Sequence, residues 1–265
     1  MPLVLLGMVW AVPVERPLRL GWAGLGFAGA MLALSVLAGH PQTTYFSGYL
    51  AAAFLGYRVW RVGGRWTHWL AGMAVVGGVA ALLSAVQWWP ALEFSAYSYR
   101  AAIPFAERGG GYGWEEAFFV LFPFRQITWM PQYIGLVPLV LVIVACWGRV
   151  PGWGFWLGSL VAALLLALGS KTPFYHLLYL GLPGTTLFRG QERATFIIAH
   201  SAALLAGLGA AWLAAQPPGA EVIRRLKRLL LGLLAVSWVF SLLFLILAQT
   251  EARSGPTGAI MWSII

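Results

Sequence analysis

The side chains best suited to chemistry in this sequence are two arginines that stand four residues apart. Arg189 and Arg193 precede an apolar run that begins at Ala194, where the first turn of a helix offers free N–H groups and the positive end of the helix dipole. A guanidinium group grips phosphate oxygens at two points. The pair therefore predicts a phosphate site, while the competing interpretation is that Glu192 and lipid headgroups satisfy both arginines.

Two polar residues in a short turn are further candidates for substrate contact. His40 and Gln42 stand between two apolar runs, at a depth where a polar side chain is costly unless it has a partner. Their side chains can hydrogen-bond a sugar or a phosphate. The remaining residues of the turn have local roles: we expect Gly39 to end the first helix in the left-handed conformation, and Thr43 or Thr44 to cap the second.

The segment 89–129 is longer than a simple connection between helices requires. It contains Glu93 and Arg100 among several aromatic residues, and then three consecutive glycines at 109–111, which we expect to be flexible. The stretch 114–122 begins with Trp-Glu-Glu and continues with apolar residues, a pattern that predicts a short helix lying in the membrane interface. The alternative is a linker that rests on the membrane with its acids in solvent.

The composition indicates a membrane protein. Of the 265 residues, 60% are apolar and 9% are charged, whereas charged residues make up about a quarter of an ordinary soluble domain. The fifteen Trp, fifteen Phe and nine Tyr suit a protein with much of its surface at a membrane–water boundary. There is no Asp, no Asn and a single cysteine, Cys146, which excludes a disulfide framework and the acid-based nucleotide and metal motifs. We predict no metal site, and the sequence identifies no cofactor.

Seven apolar runs are long enough to cross a bilayer, which takes about 20 residues. They predict an all-α polytopic transmembrane bundle, one transmembrane domain over residues 1–265, whose outer connections carry short interfacial helices. An eighth run near the N-terminus, LVLLGMVWAV, is too short to span and is interpreted as the last half of a helix that begins upstream. The predicted spans are 20–38, 43–60, 69–88, 130–147, 153–169, 194–214 and 229–248, and the long outer loops are 89–129 and 170–193.

The net charge of +9 indicates orientation in the membrane and not a nucleic-acid partner, because the basic residues are spread between the apolar runs. Alternate connections between the spans hold ten basic and two acidic residues, which marks that side as cytoplasmic. The opposite side holds seven basic and six acidic residues and includes both long loops. The sequence thus predicts a multi-pass plasma-membrane protein with an extracytoplasmic active face.

Five short motifs follow one another along the chain: Leu37-Ala38-Gly39-His40-Pro41-Gln42; Gln87-Trp88-Trp89-Pro90 with Glu93, Ser98 and Arg100; Tyr133-Ile134-Gly135-Leu136; Leu187-Phe188-Arg189 with Arg193; and Leu205-Ala206-Gly207-Leu208-Gly209. In order and approximate spacing this set resembles the YfhO-like bacterial membrane proteins. The resemblance covers the greater part of the chain. That family belongs to the GT-C type of multi-spanning glycosyltransferases.

The resemblance implies transfer of a sugar from a polyprenyl-phosphate carrier to a cell-envelope glycopolymer or lipid acceptor on the outer face of the bilayer. Arg189, Arg193 and Arg100 would stabilise the leaving phosphate, and Glu93 would contact the substrate. No catalytic base is assigned, because in the family the base usually lies on the first outer loop, and this chain corresponds to the region downstream of it. Two alternatives remain open: a binder or transporter of lipid-linked substrates without transferase activity, and a structural membrane subunit or fragment.

Overall fold

The residues that the structure describes are predominantly helical. A computed structural model describes residues 1–14, 20–98, 104–114, 133–216 and 219–254, which contain α-helices, short 3-10 turns and no strand. The predicted all-α class is confirmed. The helices are α1 (Pro2–Ala11), α2 (Trp22–Leu37), α3 (Pro41–Arg61), α4 (Trp66–Ala96), α5 (Phe105–Arg108), α6 (Leu136–Trp147), α7 (Trp153–Ala167), α8 (Pro173–Gly181), α9 (Thr195–Ala215) and α10 (Ala220–Ser254).

Three stretches of helix in the described residues are long and apolar enough to cross a membrane: Trp66–Ser95, Gln191–Ala215 and Ala220–Leu243. They correspond to the third, sixth and seventh predicted spans. A helix also stands at each of the other four predicted positions. Three of these, α2, α6 and α7, are shorter than the roughly 20 residues that cross the hydrocarbon core. The fourth, α3, has 21 residues but carries polar side chains at both ends.

The described helices belong to two compact units. The first takes its residues from Met1–Tyr112 and Gly158–Ile198, and the second from Gly113–Leu157 and Ala199–Ile265. Each unit draws on two separate stretches of the chain, and the single transmembrane domain over residues 1–265 stays a prediction. The predicted interfacial helix at 114–122 lies outside the described residues except for its first position.

In the first unit, α1 and α2 pack with their backbones almost in contact. A Cβ atom added to Gly7 would lie 2.7 Å from the Gly24 oxygen, and one added to Gly24 would lie 2.6 Å from the Gly7 oxygen. Gly29 meets α4 in the same way, since its Cβ would lie 2.8 Å from the Val76 oxygen. Small residues at such crossings allow close van der Waals packing, which is the main attraction between helices in lipid.

One arginine ties the end of α1 to α3. Arg58 donates two hydrogen bonds to the Val12 backbone oxygen, 2.8 Å from Nε and 2.6 Å from Nη2. The Val12 oxygen lies just beyond the last turn of α1, where helical carbonyls lack an internal partner. Arg58 therefore satisfies a helix end and helps to hold α3, the helix that begins beside the candidate site.

The second unit is built on α6, α10 and the adjoining parts of α7 and α9. Gly209 approaches the Leu141 backbone oxygen so closely that a Cβ atom would collide with it, and Gly148 lies against the Trp212 ring. Cys146 is half-buried in α6 and forms no disulfide. Along α10, large side chains such as Trp238, 67% exposed, face outward, as expected for a helix surrounded by lipid.

Candidate functional site

A cavity of about 220 Å³ in the first unit brings together four of the six predicted site residues. It lies between the start of α3, the end of α5 and the stretch that joins α8 to α9. The lining residues are His40, Pro41, Gln42, Arg108, Leu187, Phe188, Arg189 and Arg193. We call this cavity the arginine pocket, because three of these described lining residues are arginines and none is an acid.

The turn before α3 fixes the position of His40. Gly39 is left-handed with a φ of +83°, as predicted, and Pro41 occupies the first turn of the helix. His40 is the N-cap: its Nδ1 accepts a 3.3 Å hydrogen bond from the Thr43 backbone N–H and lies 2.7 Å from the Thr43 hydroxyl oxygen. The prediction that Thr43 or Thr44 caps this helix is wrong, because α3 starts at Pro41, ahead of both threonines.

Gln42 joins the start of α3 to the segment that carries two of the arginines. Its side chain is only 2% exposed. The Nε2 group donates a 3.0 Å hydrogen bond to the backbone oxygen of Gly190, and Oε1 accepts a 2.6 Å hydrogen bond from the Arg193 guanidinium. A buried amide that is paired at both ends holds one orientation. Gln42 therefore positions Arg193, a role that the sequence did not reveal.

Arg108 is a pocket residue that the sequence did not identify as a candidate. It ends α5 and is 9% exposed. Its guanidinium donates to the backbone oxygen of Thr186, and its own backbone oxygen accepts a 3.1 Å hydrogen bond from the buried Gln191 side chain. Because 83 positions separate Arg108 from Gln191, no local pattern shows the contact. The sequence feature that could have drawn attention to this segment is the run of glycines directly after Arg108.

The first two of those glycines carry backbone contacts that fix the segment. The Gly109 oxygen accepts a 2.8 Å hydrogen bond from the Ser170 N–H, and the Gly110 oxygen accepts a 2.7 Å hydrogen bond from the Gln191 N–H. Gln191 thus contacts this segment through both its backbone and its side chain. Residues 109–111, which we expected to be flexible, have all three backbone oxygens hydrogen-bonded to other segments of the fold.

Gly111 allows the segment to touch the end of α7. A Cβ atom at this position would collide with the Ala167 oxygen and would lie 2.8 Å from the Gly169 nitrogen. Next to it, the Lys171 ammonium donates hydrogen bonds to the backbone oxygens of Gly111, at 3.2 Å, and Tyr112, at 2.5 Å. Glycine is therefore needed here for close backbone approach and not for mobility.

Arg189 is exposed and pairs with a carboxylate. Its Nη1 lies 3.3 Å from Oε1 of Glu107, and the two side chains are 44% and 52% exposed. An ion pair this open to solvent is worth at most about 1 kcal/mol. Arg189 can therefore exchange Glu107 for a more highly charged anion with little loss of stability.

Of the other two predicted site residues, one lies outside the arginine pocket and the other outside the described residues. Glu93 is exposed in the last part of α4 and is not among the described residues that line the cavity. Arg100 lies outside the described residues. The structure therefore groups His40, Gln42, Arg189 and Arg193 and adds Arg108.

A buried tyrosine lies close to the arginine pocket. Tyr175 in α8 is fully buried, and its ring stacks on Phe105 with centroids 5.6 Å apart. The Gln191 side chain lies near the Tyr175 hydroxyl, but within the described part of the chain the hydroxyl makes no hydrogen bond of ordinary geometry. Burial raises the pKa of Tyr175, and the opposing influence of nearby Arg108 is smaller. The hydroxyl therefore stays neutral at physiological pH and adds no negative charge next to the arginines.

Comparisons with known proteins do not place this arrangement in a family. The chain has no significant match among protein-family models, curated proteins or solved structures. The chemistry of the pocket follows from its own residues alone.

The arginine pocket is arranged to bind an anion. Its guanidinium groups lie on segments that are already held by Gln42, Gln191 and backbone hydrogen bonds, so little ordering remains to be done when a ligand binds. His40 accepts hydrogen bonds at Nδ1, which places the proton of its neutral ring on Nε2, a donor that suits a phosphate oxygen. Within the described residues, no group of three His, Cys, Asp or Glu side chains is placed to hold a metal ion.

Proposed function

We propose that the arginine pocket binds the phosphate group of a lipid-linked substrate, and that the chain is the membrane portion of a GT-C-like glycosyltransferase. In this proposal a sugar passes from a polyprenyl-phosphate carrier to a cell-envelope glycopolymer or lipid acceptor on the outer face of the plasma membrane. The supporting observation is that Gln42 holds Arg193 in the same cavity as Arg108 and Arg189.

Phosphate matches this pocket better than a carboxylate does. Three guanidinium groups border one cavity of about 220 Å³, and the described lining residues supply no compensating acid. The polyprenyl phosphate that leaves in the proposed transfer offers three terminal oxygens and up to about two negative charges, whereas a carboxylate offers two oxygens and one charge. The planar guanidinium fork can also bind two phosphate oxygens at once.

The same cations would assist the chemical step of the proposed transfer. When the bond between the anomeric carbon and the phosphate oxygen breaks, negative charge grows on the departing phosphate. Cations that are already in position stabilise this charge more in the transition state than in the ground state. Arg108, Arg189 and Arg193 take this role in the proposal, and Arg100 and Glu93, the latter near the end of α4, are proposed as further substrate contacts.

A binder or transporter without transferase activity is the second candidate function, and one observation favours it. A transferase needs a group that removes the proton from the acceptor hydroxyl, usually a carboxylate or a neutral imidazole. None of the described pocket-lining residues is a carboxylate, and His40 already uses Nδ1 as an acceptor. The transferase proposal therefore places the base outside the described residues.

We extend the three candidate spans to the seven that the sequence predicts. In this arrangement α2, α3, α6 and α7 also cross the bilayer. Helices shorter than the hydrocarbon thickness are accommodated by local thinning of the bilayer and by flanking side chains that reach the interface. Two-sided labelling of single cysteines introduced into each connection, in a Cys146→Ser background, tests this arrangement: alternation of accessible sides supports seven spans, and its absence contradicts them.

The activity test is sugar transfer by the complete protein, which contains this chain together with the catalytic base, reconstituted in lipid nanodiscs. The donor is a radiolabelled polyprenyl-phosphate-linked hexose, and envelope membranes supply the acceptor. We expect Arg193→Ala and Arg189→Ala to reduce product formation by about 100-fold, because each removes a cation from the leaving phosphate. Lys227→Ala, which removes an exposed cation from α10, serves as the matched control and should retain activity.

The outcomes separate the two candidate functions. Normal transfer by both arginine variants would contradict the role of the pocket. Arginine-dependent binding of the donor without any glycosylated product, from a preparation that is correctly inserted, would favour the binder or transporter.

A further inference from the structure

An apolar groove of about 190 Å³ adjoins the arginine pocket along the same face of α3. Positions three and four apart share one face of a helix, and the α3 residues that line the two cavities follow this spacing. The face is about 18 Å long, given a rise of 1.5 Å per residue. The α3 residues are Pro41 and Gln42 in the pocket, then Tyr45, Phe46, Tyr49, Leu50 and Ala53 in the groove.

The opposite wall of the groove is also apolar. Residues such as Ala163 in α7 and Leu178 in α8 line it. The lining residue Thr185 has its hydroxyl 2.9 Å from the Tyr45 hydroxyl and 2.9 Å from the Leu182 oxygen. The Gln191 side chain, which also lines the groove, donates a hydrogen bond to the Arg108 backbone oxygen. These polar groups are therefore paired within the protein, and the groove offers a ligand mainly hydrocarbon.

Two aromatic rings connect the groove to the pocket. Tyr45 lines the groove, Phe188 lines the pocket, and their ring centroids are 4.9 Å apart. Tyr45 is held in place because its hydroxyl donates to the Pro183 oxygen at 3.1 Å, and Tyr49 donates to the same oxygen at 2.8 Å. The walls of the two cavities therefore touch, and the pocket is cationic whereas the groove is apolar.

We propose that the pocket and the groove form one site for an amphiphile, with the phosphate between the arginines and the attached hydrocarbon chain in the groove. This inference rests on the proposed function and adds that the protein binds the first part of the chain as well as the head. A volume of 190 Å³ equals that of about six water molecules, which suits a short stretch of a single chain. The ligand class is a phosphate ester with one hydrocarbon chain next to the phosphate.

The test is photolabelling of the full chain in phosphatidylcholine nanodiscs. The probe is dodecyl phosphate with a diazirine in the chain, and the competitors are dodecyl phosphate, ethyl phosphate and dodecanol. We expect saturable labelling at groove residues such as Leu50 and Leu178. Dodecyl phosphate should compete at a concentration at least about tenfold below that of ethyl phosphate, because its chain is buried against protein. Dodecanol, which lacks the phosphate, should compete poorly.

Two tryptophan variants make the test specific. Ala53→Trp adds a large ring at an exposed position in the groove and should abolish the advantage of dodecyl over ethyl phosphate. Ala81→Trp makes the same change at an exposed position of α4, away from the groove, and should leave that advantage intact. Ethyl phosphate affinity should be the same in both variants, since neither change touches the arginine pocket.

Equal competition by ethyl and dodecyl phosphate, or labelling spread over exposed α10, would contradict the groove as the site of the hydrocarbon chain. Neither result would contradict the phosphate pocket. If dodecyl phosphate still competed better than ethyl phosphate in Ala53→Trp, the groove would likewise not be the site of the hydrocarbon chain. Equal competition by dodecanol and dodecyl phosphate, together with no effect of Arg193→Ala, would overturn both this inference and the proposed function.

Discussion

The Arg193 guanidinium donates a 2.6 Å hydrogen bond to the side-chain oxygen of Gln42, a residue 151 positions earlier in the chain. The Gln42 nitrogen donates in turn to the backbone oxygen of Gly190, in the same segment as Arg193. These two bonds hold the arginine-bearing segment against the start of α3. A buried amide, itself not charged, thus sets the position of a cation in the pocket.

The first prediction concerns this amide. Gln42→Leu removes both hydrogen bonds, and it leaves the Gly190 oxygen and the Arg193 guanidinium without these partners in a partly buried place. We expect the free energy of unfolding to fall by about 1–3 kcal/mol and the affinity for ethyl phosphate to fall with it. Gln87→Leu makes the same change at an exposed site on α4 and should alter stability by less than about 0.5 kcal/mol.

Denaturant unfolding in mixed micelles measures the stability of both variants, and isothermal titration measures the affinity for ethyl phosphate. If Gln42→Leu proved as stable as Gln87→Leu, with unchanged phosphate affinity, Gln42 would not position Arg193.

The glycines after Arg108 provide a second prediction. Gly111→Ala places a methyl group against the Ala167 oxygen, so the contact between this segment and the end of α7 must open. We expect a loss of about 1–3 kcal/mol in stability. Gly110→Ala is the matched control, because the nearest atom to its Cβ would be the Glu107 oxygen at 3.5 Å, an ordinary contact distance. Equal unfolding midpoints for the two variants would show that the segment is not held as described.

The positions of the helices could be predicted from the sequence, but the packing between them could not. Runs of apolar residues predict a helix wherever they occur, and a helix stands at all seven predicted places. Their lengths depend on where turns interrupt them. The helix Trp22–Leu37, for example, is followed by the left-handed Gly39, and α3 starts two residues later at Pro41. Close crossings such as that of Gly7 and Gly24 depend on residue pairs that no single run displays.

The candidate site was predictable to a similar degree. Arg189 and Arg193 stood out because two cations preceded an apolar run, and His40 and Gln42 because they were polar between two runs. The contact between Gln42 and Arg193 depends on the tertiary fold, and so does the arrival of Arg108 beside them. Glu93 was proposed from the resemblance to a family and lies elsewhere on α4, exposed.

A third prediction compares two buried tyrosines. The Tyr112 hydroxyl lies 2.9 Å from the Thr195 hydroxyl, so Tyr112→Phe should lower the free energy of unfolding by about 1 kcal/mol. The Tyr175 hydroxyl is buried and makes no hydrogen bond of ordinary geometry in the described residues, so Tyr175→Phe should be neutral or stabilising. Thermal unfolding of the purified variants measures the difference, and a larger loss for Tyr175→Phe would contradict it.

A fourth prediction uses the exposed ion pair at the edge of the pocket. Glu107→Gln removes the carboxylate that competes for Arg189, so the affinity for ethyl phosphate should rise by about two- to fivefold at low salt. The gain should shrink as salt increases, because both groups are exposed. Glu221→Gln breaks a similarly exposed pair with Arg225 on α10 and should leave the affinity unchanged. An equal rise in both variants would indicate a general charge effect.

The most direct test of the central claim is the affinity of the full chain for ethyl phosphate, measured by isothermal titration in phosphatidylcholine nanodiscs. The Arg189→Gln/Arg193→Gln double variant is compared with the wild type and with an Arg224→Gln/Lys227→Gln control of the same net charge. We predict that the pocket variant binds about 100-fold more weakly, because two charge-assisted hydrogen bonds are lost, and that the control binds normally. Equal affinity in the wild type and the pocket variant would contradict the assignment of this cavity as a phosphate site.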